Sequence, residues 1–489
     1  MRQFSYFFLK EAFGTVLLVF FTLFRTFAAI YILKMMKKTI TAAVLLAAAL
    51  GAHAEGYQVN TYSARQEGMG HTGTALTLGA ESQLFNPAAM VFSDKTFEVS
   101  GSITAAVSKA TAVHEGNSYE TDNPVSTPMN VCTSFRIFDN FYGGLSFFTP
   151  YGSAINWGDN WPGAVLNQKV SIKVFSLQPT LAYKILPNLS IGAGMSMNWG
   201  SVDLDKGLMT GVSMNKFMAA IGMPPTAMYA PNVTPASVNL TGKSNIAVGY
   251  NLGALWQINR QWNVGVSFRG KTTLTVKKGD AQVRYNGDAQ TLLEPVLDNL
   301  NRTNFRASLP CPYVLSFGVA YKPIENVTIA ADVQLNGWKA YDQLDIEFDN
   351  LSDFDQHLTK NYRNAMTYHA GVQWGCTRRL DLRAGLMVDT NPCDKGFYNP
   401  ETPGQTRIEP SVGFSFRPVG GLSIDFALMY VHGCGTDGAT GQYEDFVYKM
   451  AAKVNPALPG QLGLTPMGTF TADYKVSAWL PALGLSYAF

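Results

Sequence analysis

Charge is scarce in these 489 residues: Asp, Glu, Lys and Arg together make up 15 per cent, and the formal net charge is +2. No basic cluster interleaved with aromatics occurs, so a nucleic-acid surface is not expected. Cysteine is also sparse. The five residues Cys132, Cys311, Cys376, Cys393 and Cys434 show no CxxC and no zinc-ligand spacing, and an odd count excludes complete pairing within the chain. The six histidines are scattered, and no ordered serine, histidine and acid set can be built from them. No cofactor, metal or enzymatic chemistry is expected. Gly68-Met69-Gly70-His71-Thr72-Gly73 matches a dinucleotide fingerprint, but no apolar strand precedes it and no helical pattern follows, so it reads as a chance match.

A mean hydropathy of +0.02 implies no bundle of membrane helices. That average suits a transmembrane β-barrel, because strands that alternate apolar and polar residues hide their hydrophobicity from any averaging window. Aromatics at 12 per cent and 45 glycines lean the same way, and a large barrel fills a chain of this length as one unit.

The N-terminus holds two apolar runs. Met35-Met36-Lys37-Lys38, the apolar stretch 39–50 and Ala52-His53-Ala54 form a secretory signal cut after Ala54. Upstream, 4–33 is apolar but interrupted by Lys10, Glu11 and Arg25. Two readings stand for residues 1–34, a membrane anchor or an extension upstream of a true start at Met35 or Met36; the complete signal that follows favours the second. Residues 55–95 are neither helical nor strand-like, rich in glycine (Gly68, Gly70, Gly73, Gly79), and carry Pro87, which cannot join a sheet ladder. This segment is expected to be a hatch that plugs the barrel formed by 96–489.

Period-two alternation is strong after residue 95. Val327, Ile329, Ala331, Val333 and Leu335 share one face, with Thr328, Ala330, Asp332 and Gln334 on the other. Leu422, Ile424, Phe426, Leu428 and Tyr430 likewise oppose Ser423, Asp425, Ala427 and Met429. Alternation over about nine or more residues is what a tilted membrane strand needs. Counting this way predicts strands at 96–113, 127–138, 141–156, 169–186, 188–205, 243–258, 261–277, 311–323, 326–345, 362–375, 379–390, 404–417, 420–435 and 472–489. That is fourteen, an even number, and the links alternate strictly between tight turns and long loops. Such segregation marks an outer-membrane barrel, all-β and antiparallel, with turns in the periplasm and loops outside the cell. The last strand ends on Phe489, with Trp479, Leu483, Leu485 and Tyr487 on its face, and a terminal aromatic there reads as the signal for the barrel-assembly machinery.

Four stretches carry a family resemblance: Glu55-Gly56-Tyr57-Gln58, Asn86-Pro87-Ala88, Tyr430-Val431-His432-Gly433 and the terminal Ser486-Tyr487-Ala488-Phe489. Together they resemble the FadL/TodX family of outer-membrane transporters of long-chain fatty acids and hydrophobic compounds. The resemblance implies a fourteen-stranded barrel with a hatch of about forty residues, and passive passage of a hydrophobic molecule. The partners expected are that molecule and outer-membrane lipid, and the barrel is expected to be a monomer.

Candidate site residues follow. The third long loop crowds Met209, Met214, Met218, Met223 and Met228 with Phe217, Ile221 and Tyr229; the fourth repeats Leu292, Leu293, Val296, Leu297 and Leu300 at helical spacing. Either the two loops pack on each other as a cap or they capture a hydrophobe between them, and the resemblance favours capture. Pro150, beside Gly152 in the third strand, should kink or bulge it, and the resemblance implies a side window to the lipid there. The resemblance also implies that Lys206, ending the fifth strand, faces a ligand carboxylate. Where fatty acid transporters place a second cation after the ninth strand this chain has Asp345, which leaves room for a neutral hydrophobe. Tyr57 is expected to probe the pocket from below, and Asn86, Pro87 and Ala88 to hold a movable hatch near the kink. Cys393 and Cys434 could meet at the outer end as a disulfide. A surface antigen or adhesin and an outer-membrane phospholipase are the alternative functions.

Overall fold

The computed structural model describes residues 56–489 apart from 224–228, 231 and 288. The expected signal peptide and upstream extension, Glu55 and Met228 lie outside the described residues. Fourteen antiparallel strands close into one hydrogen-bonded ring. In chain order they are β1 Phe97–Thr104, β2 Met129–Phe138, β3 Phe141–Asn156, β4 Lys169–Leu186, β5 Leu189–Gly207, β6 Ala247–Gln257 and β7 Trp262–Arg269. The other half comprises β8 Val314–Ile324, β9 Val327–Asn336, β10 Ala365–Gly375, β11 Leu380–Asp389, β12 Arg407–Phe416, β13 Leu422–Gly433 and β14 Met467–Ala488. Each strand pairs with the next, and β14 closes on β1 with Glu98 opposite Ala488 and Thr104 opposite Ala482.

The alternation has the opposite sense to that of a soluble sheet. On β9 the apolar phase faces outward, with Ile329 44 per cent exposed, while Asp332 in the polar phase is 2 per cent exposed. Phe426 on β13 is likewise outward, and Asp425 and Met429 are buried inside. An outer surface of Leu, Ile, Val and Phe around a polar interior is stable only where hydrocarbon is the outer solvent. Aromatic rings band both levels of this surface. Trp262 stacks on Tyr321 near the tight turns (4.3 Å between ring centroids), and Phe147 stacks on Phe175 (5.7 Å) towards the loops.

A membrane strand needs about nine to eleven residues. β5 has 19 and β14 has 22, so both rise beyond the ring. Over 189–198 β5 pairs with β6; over 201–207 it pairs with a separate strand, Ala236–Lys243. That strand continues the sheet through Thr272–Tyr285, Asn304–Cys311 and Gln343–Phe348. The expected strand at 261–277 is therefore two, divided between Arg269 and Thr272, and the one at 326–345 breaks at the short turn Trp338–Ala340. Across the first break the apolar phase keeps to even positions, from Trp262 to Val276, so alternation does not mark it; at the second it switches from odd positions up to Leu335 to even ones at Trp338 and Leu344.

Three of the long links also fold into helices. The helices Gly211–Ala220, Ala289–Leu297 and Phe446–Val454 join the extra strands in one apolar cluster above the ring. Thr210 and Asp445 cap the first and last of these by accepting from Ser213 N and Val447 N.

Residues 56–95 form short helical turns, Ala64–Glu67, Gly79–Glu81, Ser82–Phe85 and Pro87–Phe92, that are buried against inward-facing groups from around the ring. Asn86 starts the last of these by accepting from Ala88 N, with Pro87 at the first position, where its missing N–H costs nothing. The wall meets this segment with glycine. Gly192 faces Gly253, Gly265 faces Gly318 and Gly371 faces Gly385 across adjacent strands. A Cβ at Gly385 would stand 1.9 Å from Gly70 N, and one at Gly265 2.1 Å from Thr74 O. Backbone thus packs on backbone, which no residue with a side chain permits. The stretch from Gly68 to Gly73 follows a one-turn helix and has no strand before it, so it is no dinucleotide loop.

Candidate ligand-binding site

The inward-facing phases of β4 and β5 turn apolar as they leave the membrane: Val170, Ile172 and Val174 on one, Val202 and Leu204 on the other. With Leu240, Leu274, Val276, Phe305, Leu344 and Ile346 from the extra strands they enclose an apolar cavity of about 90 Å³. Tyr341, Glu401, Ser201, Ser244 and Ser308 also line it. A cavity lined mainly by aliphatic side chains is the feature a hydrophobic ligand needs.

Lys206 lies above the half of β5 that pairs with β6. Its ammonium is buried, with Nζ donating to Gln356 Oε1 (2.9 Å). Burial pulls its pKa down from 10.5 to about 8, against the opposing pull of Glu401. The second cation of this region is Lys360, which sequence reasoning missed. Lys360 pairs with Glu401 (Nζ to Oε2, 3.4 Å) and lies over the Tyr341 ring, 5.9 Å from its centroid. Asp345, which the sequence puts in place of that cation, instead faces solvent and pairs with His357 at 2.7 Å. Lys360 and Glu401 sit in irregular links, where no periodicity marks which polar residue will be buried.

Tyr57 is buried in a cluster of rings with Tyr151, Trp338 (4.8 Å) and Tyr341 (5.6 Å), and its hydroxyl donates to the Pro310 carbonyl. It meets the apolar cavity through Tyr341. Just beneath, the β3–β4 register shifts between Phe148 and Tyr151, across Pro150. Proline has no N–H to give, and β2 stops pairing with β3 at Phe148. The N-terminal segment enters this break: Val59 N donates to Pro150 O (3.0 Å) and Gly152 N to Tyr57 O (2.9 Å). Asn86, Pro87 and Ala88 dock further round. Asn86 Nδ2 donates to Thr74 O and to Ala254 O on β6, and Ser190 Oγ on β5 donates to Ala88 O.

Met214, Phe217, Met218, Leu293 and Leu297 are brought together, but in the apolar cluster of the cap, and none of them lines the cavity. Burial of each is worth about 1.5–3 kcal/mol. Ile221 and Met223 remain exposed. Cys393 and Cys434 form no disulfide. Cys393 is buried among the Tyr57 rings, where burial pushes its thiol up to about 11, whereas Cys434 is exposed.

Residues 45–489 match the family model described as outer membrane protein transport protein (OMPP1/FadL/TodX). Outer membrane protein P1 of Haemophilus influenzae is 21% identical over 430 residues, covering 82% of this chain and 91% of that protein. The long-chain fatty acid transport protein of Escherichia coli O6:H1 is 21% identical over 428 residues, covering 82% and 93%. In fold, a Pseudomonas aeruginosa FadL homologue superposes with a TM-score of 0.70 at 18% identity, covering 89% of this chain and all of that one. The Pseudomonas putida toluene transporter TodX gives 0.63 at 14% identity, covering 88% and 98%. With a lipid-facing ring of fourteen strands and a family match over nearly its whole length, the chain is an outer-membrane β-barrel that belongs to the OMPP1/FadL/TodX family of outer membrane transport proteins.

Proposed function

We propose that the barrel moves hydrophobic molecules from the cell exterior into the outer membrane or periplasm by passive diffusion. The observation that carries this reading is the apolar cavity at the loop end of a polar-lined barrel, directly above a break in the wall at Pro150. Two relatives by name, a long-chain fatty acid transport protein and a toluene transporter, fit the same class of cargo.

In this reading the cap captures the ligand. Met214, Phe217, Met218, Ile221, Leu293 and Leu297 part to admit it, and methionine's flexible thioether suits a surface that opens and reseals. The apolar cavity then holds the ligand beside Lys206 and the Tyr57 rings. Residues 56–95 are the hatch, with Asn86, Pro87 and Ala88 as its hold on β5 and β6. Withdrawal of Tyr57 from the break at Pro150 and Gly152 opens a lateral exit, the natural route for a molecule that prefers lipid to water. Phe489 presents the terminal aromatic to the assembly machinery, and the barrel works as a monomer without chemistry or an energy source.

Native mass spectrometry of barrel purified from its own membrane tests this directly. A retained lipid or hydrocarbon, displaced by added hydrophobe, is expected. A barrel that retains none, in cells whose hydrophobe uptake survives deletion of the protein, returns it to a scaffold that only displays loops.

A further inference from the structure

Glu401 stands between two cavities of different character. On one side is the apolar cavity, in whose wall it is the one charged side chain. On the other is a smaller space of about 20 Å³ lined by Lys206, Lys360 and Asn399 as well as by Glu401 itself. The carboxylate is held in this position. Lys360 Nζ (3.4 Å) and Asn399 Nδ2 (2.9 Å) both reach Oε2, and Ser153 Oγ on β3 donates to the Glu401 carbonyl (3.2 Å). Trp157 Nε1, donating to Pro400 O (3.0 Å), fixes the same link from the other side.

We propose that Glu401 selects against anionic head groups, so that the ligand of the apolar cavity is a hydrophobe without negative charge, either a hydrocarbon or one ending in a hydrogen-bond donor such as a long-chain alcohol. The inference rests on the transport reading and sharpens its substrate class. A carboxylate entering the apolar cavity meets a carboxylate before it meets either lysine, in surroundings too dry to screen the repulsion. The lysines do not reverse this. Lys360 already serves Glu401, Lys206 donates to Gln356, and both line the space behind Glu401 rather than the apolar cavity. A hydroxyl, by contrast, can donate to Glu401 and gain a charge-assisted hydrogen bond. The family's preference for binding a hydrophobe is kept, while this chain supplies its own anion where a fatty acid would bring one.

Equilibrium binding of radiolabelled dodecan-1-ol and dodecanoate to the detergent-solubilised barrel at pH 7.5 decides the matter. The wild-type barrel is expected to bind the alcohol about tenfold or more tighter than the carboxylate. Glu401→Gln should shrink that ratio about tenfold, chiefly by tightening dodecanoate. Lys206→Met should weaken dodecanoate binding only when combined with Glu401→Gln, since only then can the ligand reach the amine. A wild-type preference for dodecanoate overturns the proposal and needs no variant. So does a ratio unchanged by Glu401→Gln in a barrel that keeps its heat-modifiable migration. Binding of neither probe, by contrast, counts against the transport reading itself.

Discussion

Asp332→Ala should loosen the N-terminal segment without opening the ring. Asp332 projects inward from β9 between Gly318 on β8 and His369 on β10, and it is 2 per cent exposed. Its Oδ2 accepts from Gly73 N (2.7 Å) and Thr74 N (2.8 Å), so one carboxylate satisfies two successive amides of the segment. Truncation leaves both N–H groups buried without an acceptor, at about 1–3 kcal/mol each. A loss of about 3 kcal/mol raises the population with this stretch released by about a hundredfold. The release is local, because Gly70 N still donates to Ser411 Oγ on one side and Asn86 Nδ2 to Ala254 O on the other. Hydrogen exchange at Gly73 and Thr74 should accelerate about a hundredfold while the wall amides of β8 and β9 keep their protection, and planar-bilayer conductance should rise. Asp332→Asn, which retains an acceptor but no charge, should fall between. Wild-type exchange and conductance in Asp332→Ala would show that the segment is held elsewhere and that this contact is no latch.

Two further outcomes follow from the same geometry. Pro150→Val restores an N–H and a regular strand at the β3 bulge, and it should slow uptake of a labelled hydrophobe while the barrel still assembles; unchanged uptake would count against a lateral exit there. Burial holds the Lys206 amine near 8 where the unfolded chain has 10.5, so above pH 8 the unfolded state binds more protons and stability rises with pH until about 10.5. Wild type should therefore gain about 2 kcal/mol relative to Lys206→Met between pH 7.5 and 9.5, read from urea titrations at the two values, and parallel pH dependences would mean that the amine is not desolvated.

The ring was legible because a membrane strand must satisfy two solvents, and period-two alternation records both. Asp332 and Asp425 were therefore visible in the sequence as members of a polar phase, and Asp381 and Arg383 alternate in the same way with Leu380, Leu382 and Ala384. Their partners were not. Arg383 Nη1 donates to Ser415 Oγ and Asp332 holds Gly73 and Thr74, pairings that depend on a register between strands and a segment far apart in the chain. The same limit explains the cap. Met214 and Met218 read equally well as a capture surface or as packing, because spacing shows that a helix has an apolar face without naming what covers it. Glycine makes the point from the other direction. Gly192, Gly265 and Gly385 look like weak points when each strand is read alone, since glycine adds no side chain to a sheet. Across the ring they fall where backbone meets backbone, a contact that only glycine permits and that stays invisible until the register between strands and segment is known.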